Sequence, residues 1–171
     1  KQLAPDCETV GVLYTSGEMN SVLQAGMAKE AIEALGMKYV EVTITNTNDV
    51  QQAVQKIVGM CDAIYLPTDN VLASSIPIVY GVTVESKTPV ICGESGMVES
   101  GGLATLGISY SELGYQTGLM AVEILNGADI SKMPVKFITE GFEYKINKTV
   151  ADEIGVEIPE ELLPYAFEMG K

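Results

Sequence analysis

The chain has 171 residues, 47% hydrophobic and 19% charged, enough for one compact domain with its own core and unlike a disordered tail. Ten lysines, no arginine and 23 acidic residues give a net charge of -13. That charge repels a phosphate backbone and argues against a nucleic-acid partner. The absence of histidine removes Ser-His-Asp and Cys-His nucleophile pairs and most zinc sites, so no catalytic residue, metal ligand or cofactor is assigned. Cys7, Cys61 and Cys92 lack metal-ligand spacing, and their odd number argues against a fully paired disulfide framework. Cys61 and Cys92 read as small core residues. No stretch approaches the roughly 20 apolar residues of a membrane-spanning helix.

The opening "KQLAP" reads as the last turns of a helix, so the chain is expected to be a fragment. "TVGVLY" (Thr9 to Tyr14) is a short buried strand, and Ser21 with Gln24 three residues on forms a possible capping box for the helix after it. Val22, Ala25, Ile32 and Leu35 lie on that helix's inner face, and Gly36 closes it. "KYVEVTIT" alternates as a partly covered edge strand does. Asn48 and Gln51 suggest the next helix start, with Val50, Val54, Ile57 and Val58 as its buried stripe. "DAIYLP" is a third strand, followed by "TDN" and a helix near Val71 that Pro77 must kink or restart. "PVICG" is a fourth strand, followed by the glycine-rich "ESGMVESGG". "LATLGIS", a helix ending at Gly127, and "MPVKFITEGFEYKIN" complete the pattern. Alternating strands and helices predict an α/β fold, a three-layer lobe built on a parallel sheet.

Such sheets take ligands at the carboxyl ends of their strands. Three strand ends define one candidate crevice: Thr15 to Ser21, Pro67 to Asn70, and Gly93 to Gly96. Ser16, Asn20 and Ser21 are each explicable as turn or cap residues, but three polar groups in one strand-to-helix loop facing two similar loops favour a ligand site. Asp69 is read equally as a helix cap and as the countercharge of an ammonium group. Glu94 and Ser95 lie in a loop too rich in glycine for capping alone to explain.

The stretches "VGVLYTSGEMNSVLQ", "DAIYLPTDNVLASS", "PVICGESGMVESGGLATLGISYSELGYQTG" and "EIGVEIPEELL" closely resemble the solute-binding proteins of ABC transporters, in the branch associated with tryptophan, tyrosine and phenylalanine uptake. The resemblance covers essentially the whole chain. It implies a type I periplasmic-binding-protein fold of two α/β lobes, with 1–171 as the second lobe and 104–127 as a segment crossing to a first lobe not contained in this sequence. It implies a non-enzymatic, extracytoplasmic component, periplasmic or lipid-anchored, that binds an aromatic amino acid and delivers it to an ABC permease. Carried over by position, Ser16, Asn20 and Ser21 meet the ligand from the first loop, Thr68, Asp69 and Asn70 from the second, and Glu94 and Ser95 from the third. Pro77 and Gly81 depart from the more regular helix of the relatives.

Leu103, Leu106 and Ile108 have no obvious cover, which suggests a homodimer of the fragment. The rival reading is a flavodoxin-like FMN-binding electron carrier, since "TSGEMNS" resembles a phosphate-cradling loop. It is weakened by the lack of tryptophan to stack on a flavin. A phosphoryl receiver using Asp69 lacks the acidic pair after the first strand and the lysine after the last.

Overall fold

The computed structural model describes residues 1–137 and 141–170. Among them one sheet runs through the molecule, built from β1 (Thr9–Thr15), β2 (Lys38–Ile44), β3 (Ala63–Leu66), β4 (Val90–Cys92), β5 (Ala104–Gly107), β6 (Glu143–Asn147) and β7 (Ala166–Phe167). Its order is β2-β1-β3-β4-β5-β6-β7. The first five strands are parallel, β6 runs antiparallel to β5, and β7 is parallel to β6. The sheet is therefore mostly parallel. The exception arises because the chain leaves at the carboxyl end of β5 and comes back along it. The part of "MPVKFITEGFEYKIN" at 138–140 lies outside the described residues.

The helices are α1 (Met19–Ala34), α2 (Val50–Ile57), α3 (Asn70–Ala73), α4 (Ile76–Ser86), α5 (Ser95–Glu99), α6 (Tyr110–Leu125) and α7 (Lys148–Ile154). Val12 and Tyr14 of β1 pack with Ala25 and Ile32 of α1 on one face. Leu13, Ile64 and Leu66 pack with the stripes of α2 and α4 on the other. This sandwich is the expected three-layer α/β lobe. At Gly11 the α2 layer comes so close that a Cβ would sit 2.7 Å from the Cys61 sulfur and 2.8 Å from Ile57. Burial pushes the Cys61 thiol up to about 11 and raises Cys92 as well, so both remain protonated packing groups.

Several local expectations shift. Helix α1 begins at Met19, no side chain caps it, and Ser21 lies in its first turn, fully buried. The proposed Ser21 and Gln24 box does not form, because both side chains turn to the β3–α3 loop. Its buried stripe is Ser21, Ala25 and Ile32, whereas Val22 and Leu35 face solvent. Asn46 and Asp49, not Asn48 and Gln51, make the capping box leading to α2. Pro77 restarts the helix, sitting in the first turn of α4, where its missing N–H costs nothing. Leu103 is fully buried in a second core with Ile146, Ala151 and Ile154, so it needs no partner molecule. The departure from the sheet starts after β5: α6 has no buried residue along its length.

Candidate functional site

The sheet order reverses direction between β1 and β3, which places the switch-point crevice at their carboxyl ends. Two sequence-predicted loops meet there, joined by reciprocal carboxylates. Asp69, 2% exposed, caps α3 by accepting from the Leu72 N–H (3.0 Å). It also accepts from the Thr15 N–H (2.7 Å) and the Thr15 hydroxyl (2.8 Å) at the end of β1. In the opposite direction the Glu18 carboxylate, in the β1–α1 loop, accepts from the Asn70 side-chain amide (2.9 Å), the Asn70 N–H (3.1 Å) and the Val71 N–H (3.4 Å).

The remaining groups add to the seam. The Asn20 amide donates to the Thr68 carbonyl at 2.7 Å and the Ser21 hydroxyl to the same carbonyl at 3.3 Å. The Thr68 N–H donates to Gln24 at 3.0 Å, and the Ser16 hydroxyl to the Ile44 carbonyl at 3.2 Å. Ser16, Asn20, Ser21, Thr68, Asp69 and Asn70 are thus brought together, but much of their hydrogen-bonding capacity holds the two loops as one plate. Sequence reasoning gave Glu18 no role and read Gln24 only as a capping partner of Ser21. Their only signal is placement, one just before the α1 start and the other one turn in.

The third loop joins on the β4 side. Glu94 is the N-cap of α5, its carboxylate accepting from the Gly96 and Met97 N–H groups at 2.7 Å each. "ESGMVE" is therefore a capped helix rather than a glycine-rich loop, and the cap engages both Glu94 oxygens. Ser95 opens that helix, half-buried. Burial and the nearby Glu94 carboxylate raise the Tyr110 phenol, which marks an aromatic ring close to this loop. The edge presents serine, threonine, asparagine, carboxylates and an uncapped α1 N-terminus. That combination suits a small polar or zwitterionic molecule.

An apolar groove of about 430 Å3 runs instead along the α1 face, lined by Leu3, Met27, Ala31, Ile64 and Ile91 among others. Its lining is mostly apolar, with Gln24, which also holds Thr68, among its few polar groups, so it offers no convergent polar set for a zwitterion.

Sheet order alone would admit a flavodoxin-like carrier, which shares the 2-1-3-4-5 arrangement. The decisive comparison is with protein families, where residues 1–170 match the model for ABC transporter substrate-binding proteins. The chain belongs to that family. Among curated relatives it is 39% identical over 140 residues to a tyrosine-binding protein of Clostridioides difficile, covering 82% of this chain and 41% of the relative. Among solved structures, a Streptococcus pneumonia ABC domain in complex with L-Trp superimposes with a TM-score of 0.90 at 37% identity, covering 99% of this chain and 57% of that one. A ligand-free, open substrate-binding protein with adhesive properties from Clostridium difficile gives 0.78 at 42% identity, covering 98% and 56%. The chain therefore spans between two fifths and three fifths of the length of these family members.

Proposed function

We propose that this chain is the second lobe of an extracytoplasmic substrate-binding protein of an ABC importer, taking an aromatic amino acid between its strand-end crevice and a first lobe. The observation carrying the reading is that a family match along 1–170 coincides with a polar switch-point edge, in a fold closely shared with an L-Trp complex. Ser16, Asn20 and Ser21 from the first loop, Thr68, Asp69 and Asn70 from the second, and Glu94 and Ser95 from the third are the proposed contact set. In this role Asp69 and Glu94 act chiefly by holding backbone in place. The α1 N-terminus, at the carboxyl end of β1, receives a carboxylate through its first-turn N–H groups. Closure of the other lobe excludes water, strengthens these contacts and creates the form that a permease recognises.

Calorimetry on the full-length protein with L-tryptophan, L-tyrosine, L-phenylalanine and non-aromatic amino acids is expected to show saturable binding of one of the aromatic three. Residues 1–171 alone should bind it roughly a hundredfold more weakly, as two charge-assisted hydrogen bonds returned to water would cost. Failure of the full-length protein to bind any of the panel sinks the reading.

The same reading assigns α6 to the first lobe. Tyr115, 63% exposed, and Val122, 53% exposed, share a seven-residue spacing on one helix face left uncovered by the described residues. In the isolated segment this face is open to a second copy, so light scattering is expected to show a dimer at high concentration. Leu119→Lys should return it to the monomer. A monomeric segment at every concentration would remove the dimer from consideration.

A further inference from the structure

Glu18 stands at the N-cap position of α1 yet gives its own helix no side-chain cap. It is half-buried, and its carboxylate turns to the β3–α3 loop, taking the Asn70 backbone N–H and, at 2.9 Å, the Asn70 side-chain amide. An ionised carboxylate can only accept hydrogen bonds. The Asn70 amide is therefore held with Nδ2 toward Glu18, and its oxygen Oδ1 occupies the opposite prong of the fork. Asn70 is an exposed residue at the crevice edge.

The neighbouring carboxylates are more heavily committed. Asp69 is nearly inaccessible, and its two oxygens take three donors of the chain itself. Both oxygens of Glu94 are engaged by the first turn of α5. An amide acceptor held by its own donor side, on an exposed residue, suits an ammonium group.

We propose that Glu18 is a positioning residue that fixes the side-chain amide of Asn70 so that its oxygen accepts a hydrogen bond from the ammonium group of a bound amino acid. The inference rests on the amino-acid-binding reading above. Glu18→Gln supplies the sharpest test, because a glutamine can give its oxygen to the Asn70 N–H and its own amide N–H to Asn70 Oδ1. Asn70 would then turn over and present a donor to the ammonium group in place of an acceptor.

The probes are L-tyrosine and L-tryptophan, each beside its des-amino analogue, which keeps ring and carboxylate but lacks the ammonium group. Calorimetry on full-length Glu18→Gln is expected to show amino-acid affinity reduced about tenfold, as for one hydrogen bond to a charged group, with the des-amino analogue nearly unchanged. Asn70→Ala should give the same selective loss, and the double variant should be no worse than either single, as expected for residues acting as a unit. Equal weakening of amino acid and des-amino analogue would reduce Glu18 to a structural clamp and overturn the proposal, as would unchanged amino-acid affinity. Should Glu18→Gln fail to fold, Asn70→Ala at its exposed site decides alone, and absence of a selective loss there rejects the idea. A wild-type protein that binds no amino acid defeats the functional reading and this inference together. Wild-type binding with unaltered selectivity in the variants defeats this inference only.

Discussion

Asp69→Ala is expected to destabilise the protein by about 3 to 4 kcal/mol, the scale for removing a buried charged acceptor and stranding its donors. The side chain is 2% exposed and accepts from the Thr15 N–H, the Thr15 hydroxyl and the Leu72 N–H. Removing it leaves these donors without the carboxylate and cuts the tie between the end of β1 and the start of α3. Asp69→Asn should recover only part of the loss, since its NH2 group must oppose an N–H donor. Urea denaturation of wild type and both variants measures the effect. A loss below about 1 kcal/mol for the alanine variant would put it in the range of an ordinary exposed cap and remove Asp69 as the strut of the crevice. The sequence reads Asp69 equally as a cap and as a countercharge; its three internal donors are what make a large stability loss the expected result.

Gly93→Ala carries the second large effect. A Cβ there would lie 2.5 Å from the Thr68 nitrogen and 2.8 Å from the Pro67 carbonyl carbon. Both are backbone atoms, so no side-chain rotation relieves the clash, and the second and third crevice loops must part. Parting them strains the hydrogen bonds by which Gln24, Asn20 and Ser21 hold Thr68. A stability loss of about 2 to 3 kcal/mol, typical of overpacking, is expected from thermal denaturation. On the proposed function, amino-acid affinity of the full-length protein should fall by more than about tenfold, because misplacing a polar contact removes its hydrogen bond. Gly17→Ala in the first loop is the control. A Cβ at Gly17 meets nothing within 4 Å, so stability should change little. Equal behaviour of the two variants would show that the contact between the loops is not tight.

The layers of the fold were legible because they depend on periodicity. The runs "TVGVLY", "KYVEVTIT", "DAIYLP" and "PVICG" all became strands, and β2 became the edge that its alternation implied. Helix starts were less legible, since a local motif competes with partners distant in sequence. Ser21 and Gln24 have the spacing of a capping box, but Thr68, more than forty residues on, offers both a carbonyl and an N–H. Leu103 looked uncovered because its cover, Ile146 and Ala151, follows the excursion through α6. At the candidate site, the adjacency of the three strand-end loops was readable from the alternation of strands and helices. The commitment of Asp69 and Glu94 was not, because a carboxylate's occupancy depends on which N–H groups the fold turns toward it. Glu18 escaped notice for the same reason.

The antiparallel return of β6 also bears on how the chain can be cut and rejoined. Gly107, the last residue of β5, and Glu143, the first of β6, are directly paired. Such partners are only about 5 Å apart. Residues 108–142 thus begin and end at one point on the sheet, which makes them topologically a cargo carried in the loop of a hairpin. A tight turn spliced between Gly107 and Glu143 would satisfy the same register from Gly107–Glu143 to Ala104–Ile146. The splice site is thus also an insertion socket, where a foreign domain with neighbouring termini can be carried without altering the order of the sheet.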